Sequence, residues 1–227
     1  MIDLVALDMA GTTIDDHGAV YTALRLAVEE TGVRVASADL QTWMGTDKLT
    51  AIAALVRRGG PEPEPQRVDA AFARFRELLA QAYRDDPPVA LPGVLSALGT
   101  LRASGVRVAL TTGFDDEVVG PLLRSVGWSV GEQLDAVVTT SDVPAGRPAP
   151  YLIHRAMERT GVADVRRVLA AGDTAVDLLA ARNAGVHAVG VLTGALSRAD
   201  LEAVPHDAIL DSVALLPEYL TGLLVTE

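Results

Sequence analysis

The residues able to do chemistry fall in four short clusters: Asp8–Thr13, Thr111–Gly113, Arg147 and Pro148 within residues 142–148, and Gly172–Asp177. Each follows a short apolar run with the pattern of a buried parallel strand, and Asp8 stands at the end of the first of them, Ile2–Leu7. In an open α/β sheet, ligands bind beyond the carboxyl ends of the strands, so these clusters pool into one candidate site. A single cluster is better explained as a strand-ending turn with helix-capping residues. Four in this order are a specific signal. A second chemical signal is Lys48. The 19 basic residues are eighteen arginines and this one lysine. A neutral lysine amine can form an imine with a carbonyl, whereas a guanidinium, always protonated, cannot.

The elements that must position these groups alternate. Apolar runs at Val106–Leu110, Ala136–Val138, Val168–Ala171 and Ala188–Leu192 are separated by helical patterns such as Glu117–Val126 and Tyr151–Thr160. That alternation predicts an α/β fold with a doubly wound parallel sheet. Residues 17–90 carry no convincing strand and several amphipathic patterns, including Tyr21–Glu30 and Val68–Tyr83. We read them as a small all-helical cap inserted after the first strand, on a core of residues 1–16 and 91–227. Gly59, Gly60, Pro61, Pro63 and Pro65 divide the insertion, and Pro87, Pro88 and Pro92 mark its return to the core.

Composition narrows the function. A formal charge of −11 works against nucleic acid and anionic membrane surfaces as partners, but leaves a small anionic substrate possible where a bound cation overrides the global field. The absence of cysteine removes disulfides, thiolate metal sites and thiol nucleophiles. Without a basic, apolar leader or a span long enough for a bilayer, a cytoplasmic protein is expected.

Asp8-Met-Ala-Gly-Thr-Thr13, Thr111-Thr-Gly113, Arg147 and Gly172-Asp-Thr-Ala-Val-Asp177 resemble, over nearly the whole chain, the motifs of the haloacid-dehalogenase superfamily. The resemblance implies an Mg²⁺-dependent hydrolase in which Asp8 is the nucleophile. The ion would be held by Asp8, the Ala10 carbonyl, Asp173 and, directly or through water, Asp177. Thr111 and Arg147 would hold phosphoryl oxygens, with Gly11, Thr12, Thr112 and Gly113 lining the same substrate site.

Within the superfamily, the first motif, Met44-Gly-Thr-Asp-Lys48, Val143-Pro-Ala-Gly-Arg-Pro148 and Arg182-Asn-Ala-Gly185 resemble the phosphonatase branch, which cleaves a carbon–phosphorus bond. This implies a Schiff base on Lys48, Met44 and Gly45 beside the substrate, and a homodimer formed through the cap. Phosphatases of the superfamily place a proton-donating aspartate where this chain has Ala10. The phosphonatase histidine and tyrosine positions are Ala51 and Phe114. A 2-oxoalkylphosphonate related to phosphonoacetaldehyde is the expected substrate, with His17 a candidate for the missing proton shuttle. The alternatives are a phosphate-monoester phosphatase of the phosphoglycolate or sugar-phosphate type, with Lys48 gripping substrate, and a non-catalytic binding protein that retains the fold.

Overall fold

Strand β1 (Leu4–Asp8) is buried along its whole length, which its sequence Leu-Val-Ala-Leu-Asp permits because apolar side chains leave on both faces. The computed structural model describes residues 1–225. Leu4 and Ala6 enter one apolar cluster, Val5 and Leu7 the other, as the two-residue period of a strand requires. After β1 the chain makes a tight turn, in which the N–H groups of Thr12, Thr13 and Ile14 donate to the Met9 carbonyl. The turn leads into a two-residue strand, β2 (Ile14–Asp15).

Four helices follow: α1 (Ala19–Glu29), α2 (Ser37–Thr42), α3 (Lys48–Arg57) and α4 (Pro65–Asp85). Pro65 opens α4, a position where its missing N–H costs nothing. Helices α1 and α3 both pack on α4 through buried side chains that include Leu24, Ile52, Leu55, Phe75 and Leu79. The chain then returns through β3 (Val89–Ala90). This strand is a correction to the strand-free reading of residues 17–90. It pairs antiparallel with β2, Ile14 opposite Ala90 and Asp15 opposite Val89, so the two connections are tied together. A pairing of two residues is too short to leave a periodic trace in the sequence.

The remainder is α/β: α5 (Val94–Ala103), β4 (Arg107–Thr111), α6 (Asp116–Val126), β5 (Ala136–Val138), α7 (Tyr151–Thr160), β6 (Val168–Gly172), α8 (Ala175–Ala184), β7 (His187–Val191) and β8 (Ala208–Leu210), with a short helix between β7 and β8. Among the described residues these build a six-stranded parallel sheet of order β5-β4-β1-β6-β7-β8. The doubly wound sheet is as expected, and the five strands read from apolar runs fall within two residues of their expected ends. Edge strand β8 was not anticipated. It is three residues long and only half-buried, so hydrophobicity marks it weakly. No helix among the described residues is long and apolar enough to cross a membrane.

Because β1 lies between β4 and β6, the ends of these strands bring Asp8, Thr111 and Gly172 to one edge of the sheet. Phe75 is fully buried where α4 meets its neighbours. Phe75→Ala is expected to cost about 3–5 kcal/mol and to lower the urea midpoint in an equilibrium unfolding measurement.

Candidate active site

Asp8 ends β1, and Asp173 and Asp177 belong to the turn after β6 and the first turn of α8. Each of the three is buried, and each offers an oxygen that lies within 4.8 Å of the others. Their local settings differ. Thr12 donates its hydroxyl to Asp173 Oδ1 at 2.8 Å. Asp177 Oδ2 accepts from the backbone N–H of Thr174 at 3.1 Å and from the Thr174 hydroxyl, the reciprocal cap that starts α8. Arg147, 6% exposed, spans the cluster: Nη1 donates to Asp8 Oδ1 at 2.5 Å and Nε lies 2.9 Å from Asp177 Oδ1. Its Nη2 donates to the Thr111 carbonyl at 2.9 Å and hydroxyl oxygen at 2.8 Å.

Burial, then the charges of Asp8 and Asp177, push the Asp173 carboxyl well above the usual range. Asp177 is pushed up to about 6, mainly by burial, with Arg147 pulling the other way. Three buried carboxylates so close together present a hard, all-oxygen donor set that a divalent cation would neutralise. The residues present therefore fit a divalent metal ion.

Lys48 is the first residue of α3, whose N-cap Asp47 accepts from the Thr50 N–H at 2.8 Å. The residue is 5% exposed, and its ammonium donates to the Thr46 carbonyl at 2.9 Å and sits 5.4 Å from the centre of the Phe114 ring. Burial, aided by Arg147 and opposed by Asp8, lowers its pKa to about 8. The loop before α3 is seated by close approaches. Gly45, at φ 76°, packs so tightly on Thr174 and Val176 that a side chain would collide with them. A Cβ at Gly113 would come within 2.6 Å of the Thr46 carbonyl oxygen.

A cavity of about 320 Å³ joins these groups. Asp8, Ala10, Gly11, Asp173 and Arg147 line it from the sheet side, with Thr112 and Gly113 from the loop after β4, and Met44, Gly45 and Lys48 from the loop before α3. Thr111, Thr12 and Asp177 are close by but do not line it. Thr111 accepts from Arg147 and Thr12 donates to Asp173, so both hydroxyls meet these charged side chains rather than the open space. Of the two threonines at the end of β4, Thr111 within it and Thr112 just after it, Thr112 lines the cavity. His17 does not line it either, and its ring nitrogens lie 3.6 Å from Asp15 and 3.7 Å from Asp86.

Sequence reasoning missed Thr193 and Gly194. Thr193 donates to the Gly11 carbonyl at 2.6 Å, and a side chain at Gly194 would collide with the Asp173 carboxylate. The strand-end rule that found the other clusters applies to them, since they follow β7. Tyr21 and Asp16 also line the cavity. No sequence signal marks them, because they reach it from the connection to α1 and from α1 itself.

The parallel α/β sheet thus gathers buried carboxylates, a guanidinium and an amine around one cavity, the setting of an α/β enzyme with a carboxylate-lined site. The chain belongs to the haloacid dehalogenase-like hydrolases, whose family model matches residues 2–185. It is similar to the phosphonoacetaldehyde hydrolases of Parabacteroides distasonis and Syntrophobacter fumaroxidans. The first is 30% identical over 205 residues, 84% of this chain and 76% of that one; the second is 30% identical over 231 residues, 94% and 82%. A solved hydrolase from Pseudomonas syringae has the same fold, with a TM-score of 0.87 over 97% of this chain and 99% of that one, at 21% identity.

Two substitutions test this arrangement. With its pKa lowered from 10.5 to about 8, Lys48 carries a proton in the folded state only at a cost, present in full below pH 8 and vanishing as pH rises towards 10.5. Lys48→Met is therefore expected to stabilise the metal-free protein at pH 7 by up to about 3 kcal/mol, with the gain shrinking above pH 8 in urea titrations. Gly113→Ala is expected to displace the Thr46 carbonyl and the Lys48 loop with it. Turnover should fall at least ~10-fold while stability changes by about 1–3 kcal/mol, measured by steady-state kinetics beside thermal melts.

Proposed function

We propose that this enzyme hydrolyses the carbon–phosphorus bond of a phosphonoacetaldehyde-like 2-oxoalkylphosphonate. The observation that carries the reading is Lys48: the chain's single lysine, buried in the same cavity as Asp8, with its pKa drawn down to about 8. Residues 17–90 act in this reading as a cap on the core of residues 1–16 and 91–227, in a cytoplasmic homodimer joined through that cap. The similarity to two phosphonoacetaldehyde hydrolases supports the same substrate class.

A simple carbanion is a very poor leaving group, so the electrons of the carbon–phosphorus bond need a sink. Neutral Lys48 Nζ attacks the substrate carbonyl carbon and, with loss of water, becomes an iminium, which provides that sink. Asp8 then takes the phosphoryl group, leaving an enamine on Lys48. One water hydrolyses the acyl phosphate; the enamine is protonated on carbon to an iminium, which a second water hydrolyses to release an aldehyde or ketone and the free Lys48 amine. Asp8, the Ala10 carbonyl, Asp173 and Asp177 would hold Mg²⁺, which when bound would supply positive charge between an anionic phosphonate and an anionic nucleophile. Arg147, Thr112 and Gly113 hold phosphonyl oxygens where Gly11 lets the backbone come close, and Met44 and Gly45 bound the carbonyl end. No alkoxide leaves in this reaction, so Ala10 is compatible with it, whereas a phosphate-monoester phosphatase would lack its acid at that position.

Borohydride treatment in the presence of Mg²⁺ and phosphonoacetaldehyde should leave a reduced adduct on Lys48, located by peptide mass spectrometry. Lys48→Arg should abolish both the adduct and phosphate release. The trapping rate should rise with pH through about 8, as the neutral amine becomes the major form. Hydrolysis of ordinary phosphate esters without any adduct would overturn the carbon–phosphorus reading in favour of a phosphatase.

A further inference from the structure

Forming the Lys48 imine requires a proton for the substrate's carbonyl oxygen, and the neighbours of Lys48 do not supply one. Ala51 is fully buried on the same helix, Phe114 presents a ring, and the Thr46 carbonyl only accepts. Nor does His17 line the cavity. Among the hydroxyls that do line it, Thr174 donates to Asp177 and Thr193 to the Gly11 carbonyl, so their protons are committed. Thr112 accepts from the Phe114 N–H on the loop read above as holding phosphonyl oxygens. Asp15 accepts from the His17 N–H, and Asp16 from the N–H groups of Gly18 and Val20, so these carboxylates serve the entry to α1.

Tyr21 remains. It lies in the first turn of α1, lines the same cavity as Lys48 and Asp8, and its phenol makes no hydrogen bond to another described residue. We propose that Tyr21 is the catalytic proton donor for Schiff-base formation on Lys48, an inference that rests on the carbon–phosphorus reading above.

The step balances as follows. Nζ bonds to the carbonyl carbon and the C=O π pair moves to oxygen, which takes the phenolic proton. The nitrogen returns a proton to the phenolate. The carbinolamine oxygen then takes the phenolic proton again and leaves as water while the nitrogen lone pair forms the iminium. A proton from solvent restores the phenol, so the sum is amine, carbonyl and one proton giving iminium and water. Burial and the carboxylates of Asp173, Asp16, Asp8 and Asp177 push the phenol above its ordinary pKa, which keeps it protonated until it meets an oxygen as basic as an alkoxide.

Tyr21→Phe removes the hydroxyl and keeps the ring that packs in the core. In single-turnover borohydride trapping with phosphonoacetaldehyde, the variant is expected to form the Lys48 adduct about 100-fold more slowly. Phosphate release should fall by the same factor, with KM and melting temperature little changed. Undiminished trapping in Tyr21→Phe, beside a normal adduct in the unsubstituted enzyme, overturns the role of Tyr21 alone. No adduct in the unsubstituted enzyme overturns the Schiff-base reading and this role with it. A variant that loses phosphate release yet traps at the original rate assigns Tyr21 to a later step and rejects the proposal.

Discussion

Three carboxylates cannot share a buried cleft without a counter-charge, and the site is organised around that constraint. Asp8, Asp173 and Asp177 hold oxygens within 4.8 Å of one another. Like charges at this distance in a poorly solvated setting either take up protons or recruit a cation. Arg147 supplies part of the compensation by bridging Asp8 and Asp177 while anchoring itself on Thr111. The remainder is what a hard divalent ion would provide. An arginine suits the bridge because its planar fork reaches several acceptors from one fixed position and never loses its charge.

The same economy explains why a lysine stands where it does. Nineteen basic residues include one amine, and the fold buries it. Its desolvation destabilises the folded chain unless function compensates, a conflict between stability and activity that is common at functional sites. The surroundings of Lys48 relieve only part of the cost: Asp8, Asp47 and Asp177 favour its charge, but burial and Arg147 outweigh them and leave its pKa lowered to about 8. A surface lysine kept for solubility would have none of these features.

Positioning depends on contacts between distant segments. The loop before α3 has no strong tie to the sheet through hydrogen bonds of its own. It is seated where Gly45 meets Thr174 and Gly113 meets Thr46, contacts that exist only because neither glycine has a side chain. The β2–β3 pair binds the two connections at the root of α1–α4, and Leu91 N–H donates to the Thr13 carbonyl beside it. Lys48 and Asp8 thus belong to separate parts of the fold that meet at one cavity.

Much of this was legible in the sequence. The apolar runs of a parallel sheet need long continuous burial, so β1, β4, β6 and β7 are visible, and the rule that chemistry gathers at strand ends pointed to Asp8, Thr111–Gly113 and Gly172–Asp177. The solitary Lys48 was a signal in composition alone. What only the tertiary structure decided was which side chain faces what. Thr111 and Thr112 are adjacent, yet one meets Arg147 and the other the cavity, because successive residues at a strand end point in opposite directions. His17 stands near the cavity in sequence but turns to Asp15 and Asp86, while Tyr21, four residues later, is carried in by the first turn of α1. β8 and the β2–β3 pair are too short for hydrophobic periodicity to register them, and their existence follows from neighbours that are remote in the chain. Residue type and spacing determine which groups are available for chemistry; packing between segments far apart in sequence determines which of them share a space.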